Sequence, residues 1–444
     1  MSTSPTARKA PKRPRPEPLY EKLPARGQDR VLDRHAVASN QRSRLIGAMI
    51  EEVAERGYEA ATIERLVALA GVSKRTYHQI FHTKEAYFLA SYDAVVENAA
   101  GRIGAAYRSP GDWRTRLRAA LAAYAAEVEQ EPKAARLALV EALGAGPAAL
   151  ARMRRARRAF EEAVVASFAE VPDGGILPPL IPKGIVCGVE RITRQLLLAG
   201  EVATLPALTD ELLEWALSYR CAAAIDVLDA SPADPGWPAP CCPLAKGGSD
   251  RVRLLVSAAE IAAGNGYAQL TPGRIADEAG VADARFNELF ESSEQCFLDA
   301  LDRLGLEALV CATRAAQSGG GLAAVPAGVA ALMRHLATSP VLVRVAYVEI
   351  FALGPAGVER RERLLGQFTD QLMRGLPSRG APSRLAAEAS VGAAWGIIHH
   401  YVTQGATHLL PGLAEHITYI ALAPVIGGQD AVQAILDARE SADL

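Results

Sequence analysis

The stretch of sequence that decides the fold is Ala70-Gly71-Val72-Ser73-Lys74-Arg75-Thr76-Tyr77-His78. It joins two short segments in which apolar residues recur at helical spacing, Ile63 to Leu69 and Lys74 to Phe81. Thr62 and Ser73 are residue types that cap helix N-termini, and Gly71 can adopt the positive φ of a tight turn. Two short helices joined by such a turn are typical of a helix-turn-helix motif.

The flanking sequence extends this pattern on both sides. A longer helix is predicted from about Asn40 to Arg56, ended by Gly57, and a fourth helix begins at Lys84. The second helix of a helix-turn-helix enters the major groove of DNA, and here its first turn carries cations, a hydroxyl and an aromatic ring. Lys84 lies at a helix N-terminus, where it could bind a phosphate. The spacing alone leaves a buried helical corner as the alternative.

The pattern occurs twice in the chain. Residues 44–89 align with residues 253–298 at an offset of 209 without gaps, and Ala-Gly-Val recurs at 70–72 and 279–281. Further matches follow at offsets of 208 and 205, in the same order. Self-similarity that keeps its order over this distance predicts two copies of one structural unit.

These residues carry a family resemblance. The first copy resembles the DNA-binding domain of TetR/AcrR-type transcriptional regulators. The residues that carry the resemblance are Arg44-Leu45, Glu55-Arg56-Gly57-Tyr58, Thr62, Ala70–Tyr77, Phe81, Lys84-Glu85 and Phe88. The resemblance covers roughly 40–228 and 250–440. It implies an all-α protein of two fused TetR-like units, each a small helix-turn-helix domain followed by a larger helical domain that binds a small ligand and dimerises.

The resemblance also implies which residues contact DNA. The expected set is Thr62, Ser73, Lys74, Arg75, Thr76, Tyr77, His78 and Lys84. His78 departs from the family pattern, which usually has a tyrosine on a phosphate at this position, but histidine can still donate a hydrogen bond.

The second copy differs from the first in charge. Residues 44–90 carry six cations and six carboxylates, whereas residues 253–299 carry three cations and eight carboxylates. Lys74 corresponds to Asp283, Arg75 to Ala284 and Lys84 to Ser293. Carboxylates facing the phosphate backbone oppose binding. The second copy is therefore expected to fold as a helix-turn-helix domain and bind DNA poorly, with Arg285 the residue that could still reach a base.

The sequence predicts six regions. They are a disordered basic arm (1–39), a helix-turn-helix domain (40–97), a ligand and dimerisation domain (98–230), a Pro/Gly-rich linker (231–249), a degenerate helix-turn-helix domain (250–306) and a second ligand and dimerisation domain (307–440). The arm holds nine Lys/Arg, four Asp/Glu and six prolines, which suits either a contact with DNA phosphates or a solubilising tail. Adjacent Cys241 and Cys242 in the linker have the wrong spacing for zinc and are expected to be exposed thiols.

The helical bodies constrain the ligand weakly. Tyr347, Trp395, His399 and Tyr401 are the candidate ligand contacts, because the second copy is the more aromatic there. His399 and His400 could form a metal pair, but a core or interface histidine is the simpler interpretation, so no metal and no cofactor are expected. The resemblance implies a four-helix dimer interface, which one chain could form with itself as an intramolecular pseudo-dimer. A further dimer of chains stays open.

The composition and the motifs of the sequence argue against a membrane protein, a secreted protein and an enzyme. Half the residues are hydrophobic and 22% are charged, no apolar run approaches the ~18 residues of a membrane span, and the N-terminus lacks an apolar signal core. No nucleophile elbow, phosphate loop or HExxH motif marks an enzyme. The expectation is a cytoplasmic one-component regulator without a membrane partner, a repressor by family resemblance, released from a double-stranded DNA operator by a small-molecule effector. The alternative is a ligand-sensing interaction protein that acts through a partner regulator without binding DNA.

Overall fold

The structure is a computed structural model of the chain. The structure describes residues 34–170, 177–221, 248–319, 321–376 and 383–443, together with residues 224, 227 and 228. Every regular element in these ranges is helical. The observed architecture is therefore all-α, as the sequence predicts.

The first half of the chain contributes nine described α-helices. They are α1 (Arg34–Arg56), α2 (Ile63–Ala70), α3 (Lys74–Ile80), α4 (Lys84–Tyr107), α5 (Trp113–Gln130), α6 (Pro132–Leu139), α7 (Pro147–Ala169), α8 (Ile181–Ala199) and α9 (Thr209–Leu217). Short 3-10 turns at Glu141–Leu143 and Val202–Leu208 follow α6 and α8.

The second half of the chain contributes ten within the described ranges. They are α10 (Asp250–Asn265), α11 (Pro272–Ala279), α12 (Asp283–Leu289), α13 (Ser293–Gly319), α14 (Ala324–Ala337), α15 (Pro340–Tyr347), α16 (Pro355–Gly375), α17 (Arg384–Thr403), α18 (Ala414–Ile426) and α19 (Gly428–Asp443). The order of α10 to α18 repeats that of α1 to α9, including two short helices followed by a long one and a 3-10 turn after α15 and after α17.

The start of the first helix differs from the sequence expectation. Helix α1 begins at Arg34, not near Asn40, so the last six residues assigned to the disordered arm are helical. Ser39 and Asn40 suit an N-cap, but no proline or glycine lies between Arg34 and Ile46 to interrupt the helix. The rest of the predicted arm, and linker residues 231–247 with Cys241 and Cys242, lie outside the described residues.

The small N-terminal domain, α1 to α4, folds around one apolar core. Leu45 and Met49 of α1, Leu66 of α2 and Phe88 of α4 are almost completely buried. Gly71 ends α2 with φ at 61°, and the adjacent turn places α3 across α2. Helix α3 is thereby held by its inner side, and its outer side faces solvent.

The two halves pack through a contact that we call the seam, formed by α8 and α9 against α17. Helix α18 joins it where the Tyr219 hydroxyl donates to the Ile420 carbonyl oxygen. Small residues bring α8 and α17 close together. A Cβ on Gly188 would lie 2.7 Å from the carbonyl oxygen of Ala389, and one on Gly392 would lie 2.7 Å from the Cβ of Arg191. The side chains also bond across the seam, since the Trp215 indole N–H donates to Ser390 Oγ at 3.0 Å.

A charged cluster is buried in the seam. Glu362 on α16 accepts from Arg191 Nε at 3.2 Å and from Arg194 Nε at 3.3 Å, both from α8, and also from its neighbour Arg361. All four side chains are at least nine-tenths buried. Burial alone would raise the pKa of Glu362, but the three guanidiniums lower it to about 2. This carboxylate therefore stays ionised and holds three buried cations together.

One expectation about membrane-length segments was wrong. The segment Thr407–Ile426 is long and apolar enough to cross a bilayer by length and composition, and two bent helix pairs pass the same test together. Its most apolar window is 56% buried inside the protein. Its polar groups bond within the fold: the Tyr419 hydroxyl donates to the Tyr219 carbonyl oxygen at 2.9 Å, and a ring nitrogen of His416 lies 2.9 Å from the Leu228 carbonyl oxygen.

Candidate nucleic-acid interface

Helix α3 presents a polar face to solvent. At about 100° per residue, Lys74, His78, Arg75 and Gln79 fall within an arc of about 140°. All four side chains are exposed, as is Ser73 at the N-cap. This face combines two fixed cations, an imidazole and an amide, which are the groups that bind phosphates and base edges.

The N-terminus of α3 is fixed by local bonds. Ser73 Oγ accepts from the Thr76 backbone N–H at 3.0 Å, which makes Ser73 the predicted N-cap, and Thr76 is half-buried beneath it. Lys74 forms an ion pair with Glu64 of α2, and this bond lowers the pKa of the Glu64 carboxyl. In the described part of the first half, Arg75 has no ion-pair partner. Arg75 is therefore the cation of this face most readily available to DNA.

Thr62 precedes α2 as predicted, but its side chain makes no capping hydrogen bond. The hydroxyl is exposed, next to the N-terminus of the helix. A hydroxyl in this position can donate to a phosphate that also meets the free backbone N–H groups of the first turn.

Tyr77 does not lie on this face, and its assignment as a side-chain contact with DNA was wrong for this structure. Its side chain is fully buried, packed at 5.6 Å from the ring of Tyr87 and 6.2 Å from Phe81. Its hydroxyl makes no hydrogen bond within the described residues, and burial raises its pKa. The corresponding residue in the second half is Phe286, also buried, which marks this as a core position.

Lys84 is half-buried and serves the fold. Its ammonium donates to the carbonyl oxygens of Tyr58 at 3.1 Å and Glu59 at 3.3 Å, and lies 4.4 Å from the centre of the Tyr58 ring. These contacts use two of its three N–H donors. Lys84 thus ties the start of α4 to the loop after α1, with one donor left for a phosphate.

The sequence interpretation missed Gln79. It lies one turn after Arg75, and its amide can pair with an adenine edge in the manner usual for glutamine. The signal was present in the spacing, because positions 75, 78 and 79 share a face of any regular helix. The aligned residue of the second half is Glu288.

Helix α12, which follows α11 as α3 follows α2, presents an acidic face. Asp283, Ala284, Asn287 and Glu288 are exposed on α12. Arg285 Nε donates to Asp250 at 3.2 Å and Arg285 Nη1 donates to Glu288 at 2.6 Å, so the charge of Arg285 is neutralised locally. Hydrogen bonds from Arg253, the larger influence, and from Arg285 hold the pKa of Asp250 below its ordinary value. The one cation expected to reach a base is thus already paired.

The same kind of hydrogen bond ties the short helices at the start of each half to the helices that follow. The Tyr58 backbone N–H donates to Glu141 Oε2 at 3.3 Å, and the Tyr267 N–H donates to Glu349 Oε2 at 2.9 Å. Burial is the largest influence on Glu141 and raises its pKa, although Arg136 opposes this. A displaced body helix would therefore pull directly on the loop that precedes α2.

The four candidate ligand contacts fall into two groups. Tyr347 and Trp395 stack at 5.4 Å between ring centres and Trp395 stacks on His399 at 4.7 Å, all three buried in the second body. Tyr401 lies apart and packs edge-on against His400. The first group forms core rather than a ligand surface, except that His399 borders a cavity at the seam. Among the described residues, no three His, Cys, Asp or Glu side chains are grouped as metal ligands would be.

Comparison with known proteins agrees with the geometry of the first domain. Residues 45–90 match the N-terminal domain of bacterial regulatory proteins of the tetR family. This stretch of the chain is therefore similar to the DNA-binding domain of that family. It is 32% identical over 144 residues to the HTH-type transcriptional activator FasR of Mycolicibacterium smegmatis, a match that covers 32% of this chain and spans 65% of that relative's length.

Solved structures of similar proteins each cover about 40% of the chain. A TetR-like regulator from Rhodococcus sp. RHA1 is 17% identical with a TM-score of 0.35, covering 40% of this chain and 97% of its own. FadR from Bacillus subtilis, solved with stearoyl-CoA, is 16% identical with a TM-score of 0.36, covering 39% and 97%. FadR from Bacillus halodurans is 15% identical with a TM-score of 0.38, covering 40% and 94%.

Proposed function

We propose that this chain is a one-component, cytoplasmic transcriptional regulator of the TetR family, which binds an operator in double-stranded DNA through the first helix-turn-helix. The observation that carries the proposal is the contrast between the two reading helices. Helix α3 exposes Lys74, Arg75, His78 and Gln79, while the matching face of α12 is acidic and its arginine is paired. Phosphate contacts supply most of the affinity for DNA, so only the first face can bind it.

We further propose that the chain is a fusion of two TetR-like units. The sequence repeat, the repeated helix order and the repeated Glu141 and Glu349 bonds support this arrangement. The seam then takes the place of the interface between two subunits, so the chain is an intramolecular pseudo-dimer. An effector bound in a body would shift the populations of two body conformations and change the position of the reading helix.

The proposal is tested by fluorescence anisotropy with a duplex from the protein's own upstream region and a random duplex, titrated with salt. Lys74→Gln/Arg75→Gln should abolish specific binding and reduce the slope of log affinity against log salt by about two, since each lost phosphate contact contributes about 0.9. Asp283→Asn/Arg285→Gln, the matched pair on α12, should leave both quantities unchanged. Equal losses from the two pairs would contradict the assignment of a single reader.

The acidic face of α12 favours a second candidate function, in which the chain senses a ligand and acts through a partner regulator. This second function predicts no salt-dependent binding of the wild-type chain to either duplex.

The direction of regulation is a separate question. Repression is the direction implied by the family resemblance, while the M. smegmatis relative carries the name of an activator. A reporter driven by the bound upstream region, with and without the gene for this chain, distinguishes the two directions.

A further inference from the structure

A cavity of about 260 Å³ opens at one edge of the seam. Helices α7 and α8 of the first half form one wall, and α17 of the second half forms the other. Five cations line it against a single carboxylate, Glu161; they are Arg154, Arg155, Arg157, Arg158 and Lys183. A concave site with this charge attracts anions.

Some of these cations are already neutralised by the protein. Lys183 pairs with Glu161 at 2.9 Å, and Arg157 pairs with Glu190 in a two-pronged bond. Among the described residues, neither Arg154 nor Arg158 has a carboxylate within ion-pair distance. These two guanidiniums, one turn apart on α7, project the surplus positive charge into the opening.

The opposite wall offers an unused polar atom. His399 is 5% exposed, and its Nε2 makes no hydrogen bond within the described part of the chain. Burial and the facing cations Arg157 and Arg361 lower its pKa well below the ordinary value, so the ring is neutral. His400 and Gln404 lie beside it and add further donors. The wall can therefore bond an oxyanion without adding a charge of its own.

The corresponding position on the other edge of the seam explains why this site is open. At the offset of 208, Arg154 corresponds to Glu362, and at the offset of 205, His399 corresponds to Arg194. On that edge the carboxylate of Glu362 binds Arg191 and Arg194 internally. On the cavity edge, an arginine replaces the carboxylate, and the two carboxylates nearby, Glu161 and Glu190, pair with Lys183 and Arg157 rather than with Arg154 or Arg158.

We propose that this cavity binds the anionic group of a small molecule, a phosphate ester or a carboxylate, with Arg154 and Arg158 as its charge partners and His399 as a hydrogen-bonding partner. The volume suits a headgroup with a few attached carbons rather than a whole long ligand. The occupied site would join α7 of the first half to α17 of the second. Its role as an effector site rests on the proposed regulatory function, whereas the binding itself does not.

Calorimetry on the full chain without DNA tests the binding, with phenyl phosphate, benzoate, inorganic phosphate and the neutral benzyl alcohol as probes. We expect phenyl phosphate or benzoate to bind and benzyl alcohol to give no heat. Preference for phenyl phosphate and inorganic phosphate identifies a phosphate site, and preference for benzoate identifies a carboxylate site. Equal binding of benzyl alcohol, or no binding of any probe, overturns the proposal.

Variants locate the site. Arg154→Gln/Arg158→Gln should weaken binding of the preferred probe at least tenfold, and His399→Phe, which keeps the stacking on Trp395, should weaken it several-fold. Arg363→Gln/Arg374→Gln removes two exposed arginines from α16 and should change nothing. Equal losses from the two arginine pairs would show attraction by net charge alone and overturn the assignment. Because the readout needs no DNA, a chain that binds the probe but no duplex would refute the regulatory function and leave the site intact.

Discussion

Tyr77 and Gln79 lie two positions apart on one short helix and have opposite roles. Tyr77→Phe removes a buried hydroxyl that has no hydrogen-bond partner among the described residues, so we expect unchanged DNA affinity and a free energy of unfolding equal to or up to about 1 kcal/mol above that of the wild type. Gln79→Ala should leave stability unchanged and lower specific affinity by about 1–3 kcal/mol. Anisotropy and urea unfolding measure both; a tenfold loss of affinity in Tyr77→Phe would return this residue to the interface.

His399 gives the chain a predictable dependence on pH. Its folded pKa is lowered by burial, so below the ordinary value of about 6.5 the unfolded chain binds a proton that the folded chain does not. Stability should therefore fall as the pH drops from 7.5 to 5.5, by up to about 1.4 kcal/mol per pH unit from this group. His399→Phe should flatten the dependence of Tm on pH. The contributions of His335, His400 and His416 should remain, because burial lowers their pKa values too. An unchanged slope would mean that His399 is protonated in the fold.

At the scale of elements, the sequence predicts helices well where local signals decide them. Helices α2 and α3 lie within one residue of their predicted bounds, because Gly71 marks the end of α2 and the N-cap Ser73 marks the start of α3. Helix α1 begins earlier than predicted, since its cap-like residues lack a helix breaker to support them. The cavity at the seam was not foreseeable: Arg154, Lys183 and His399 come from three helices of two halves, and no spacing in the sequence brings them together.

The seam depends on glycine at the crossing of α8 and α17. Gly188→Ala would place a methyl group against the Trp215 ring and 2.7 Å from the Ala389 carbonyl oxygen, so we expect a loss of about 1–3 kcal/mol. Gly366→Ala on α16 is the matched control, because its Cβ would meet open space, and it should gain about 0.5–1 kcal/mol from helix propensity. Urea unfolding measures both. A Gly188→Ala variant as stable as the control would show that α8 and α17 can move apart freely.

For the whole molecule, the proposed single reading face per chain predicts the size of the contact with DNA. If the acidic face of α12 binds no DNA, a single bound chain should protect one major-groove segment, about one helical turn of DNA. Footprinting combined with the mass of the complex measures this. Two equal half-sites protected by one chain would show that the second helix-turn-helix also binds, whereas two chains on a palindrome would indicate association through a surface other than the seam.

The edge of the seam where Glu362 binds Arg191 and Arg194 affects how the chain would respond to an effector. In a two-fold symmetric dimer every ligand site exists twice, and the second binding event can be easier or harder than the first. In the proposed pseudo-dimer, Glu362 occupies one of the two related positions, so one copy of the site is left per chain. A dose–response curve should then be hyperbolic with a Hill coefficient of one, and the chain would act as a graded sensor of concentration rather than as an abrupt switch.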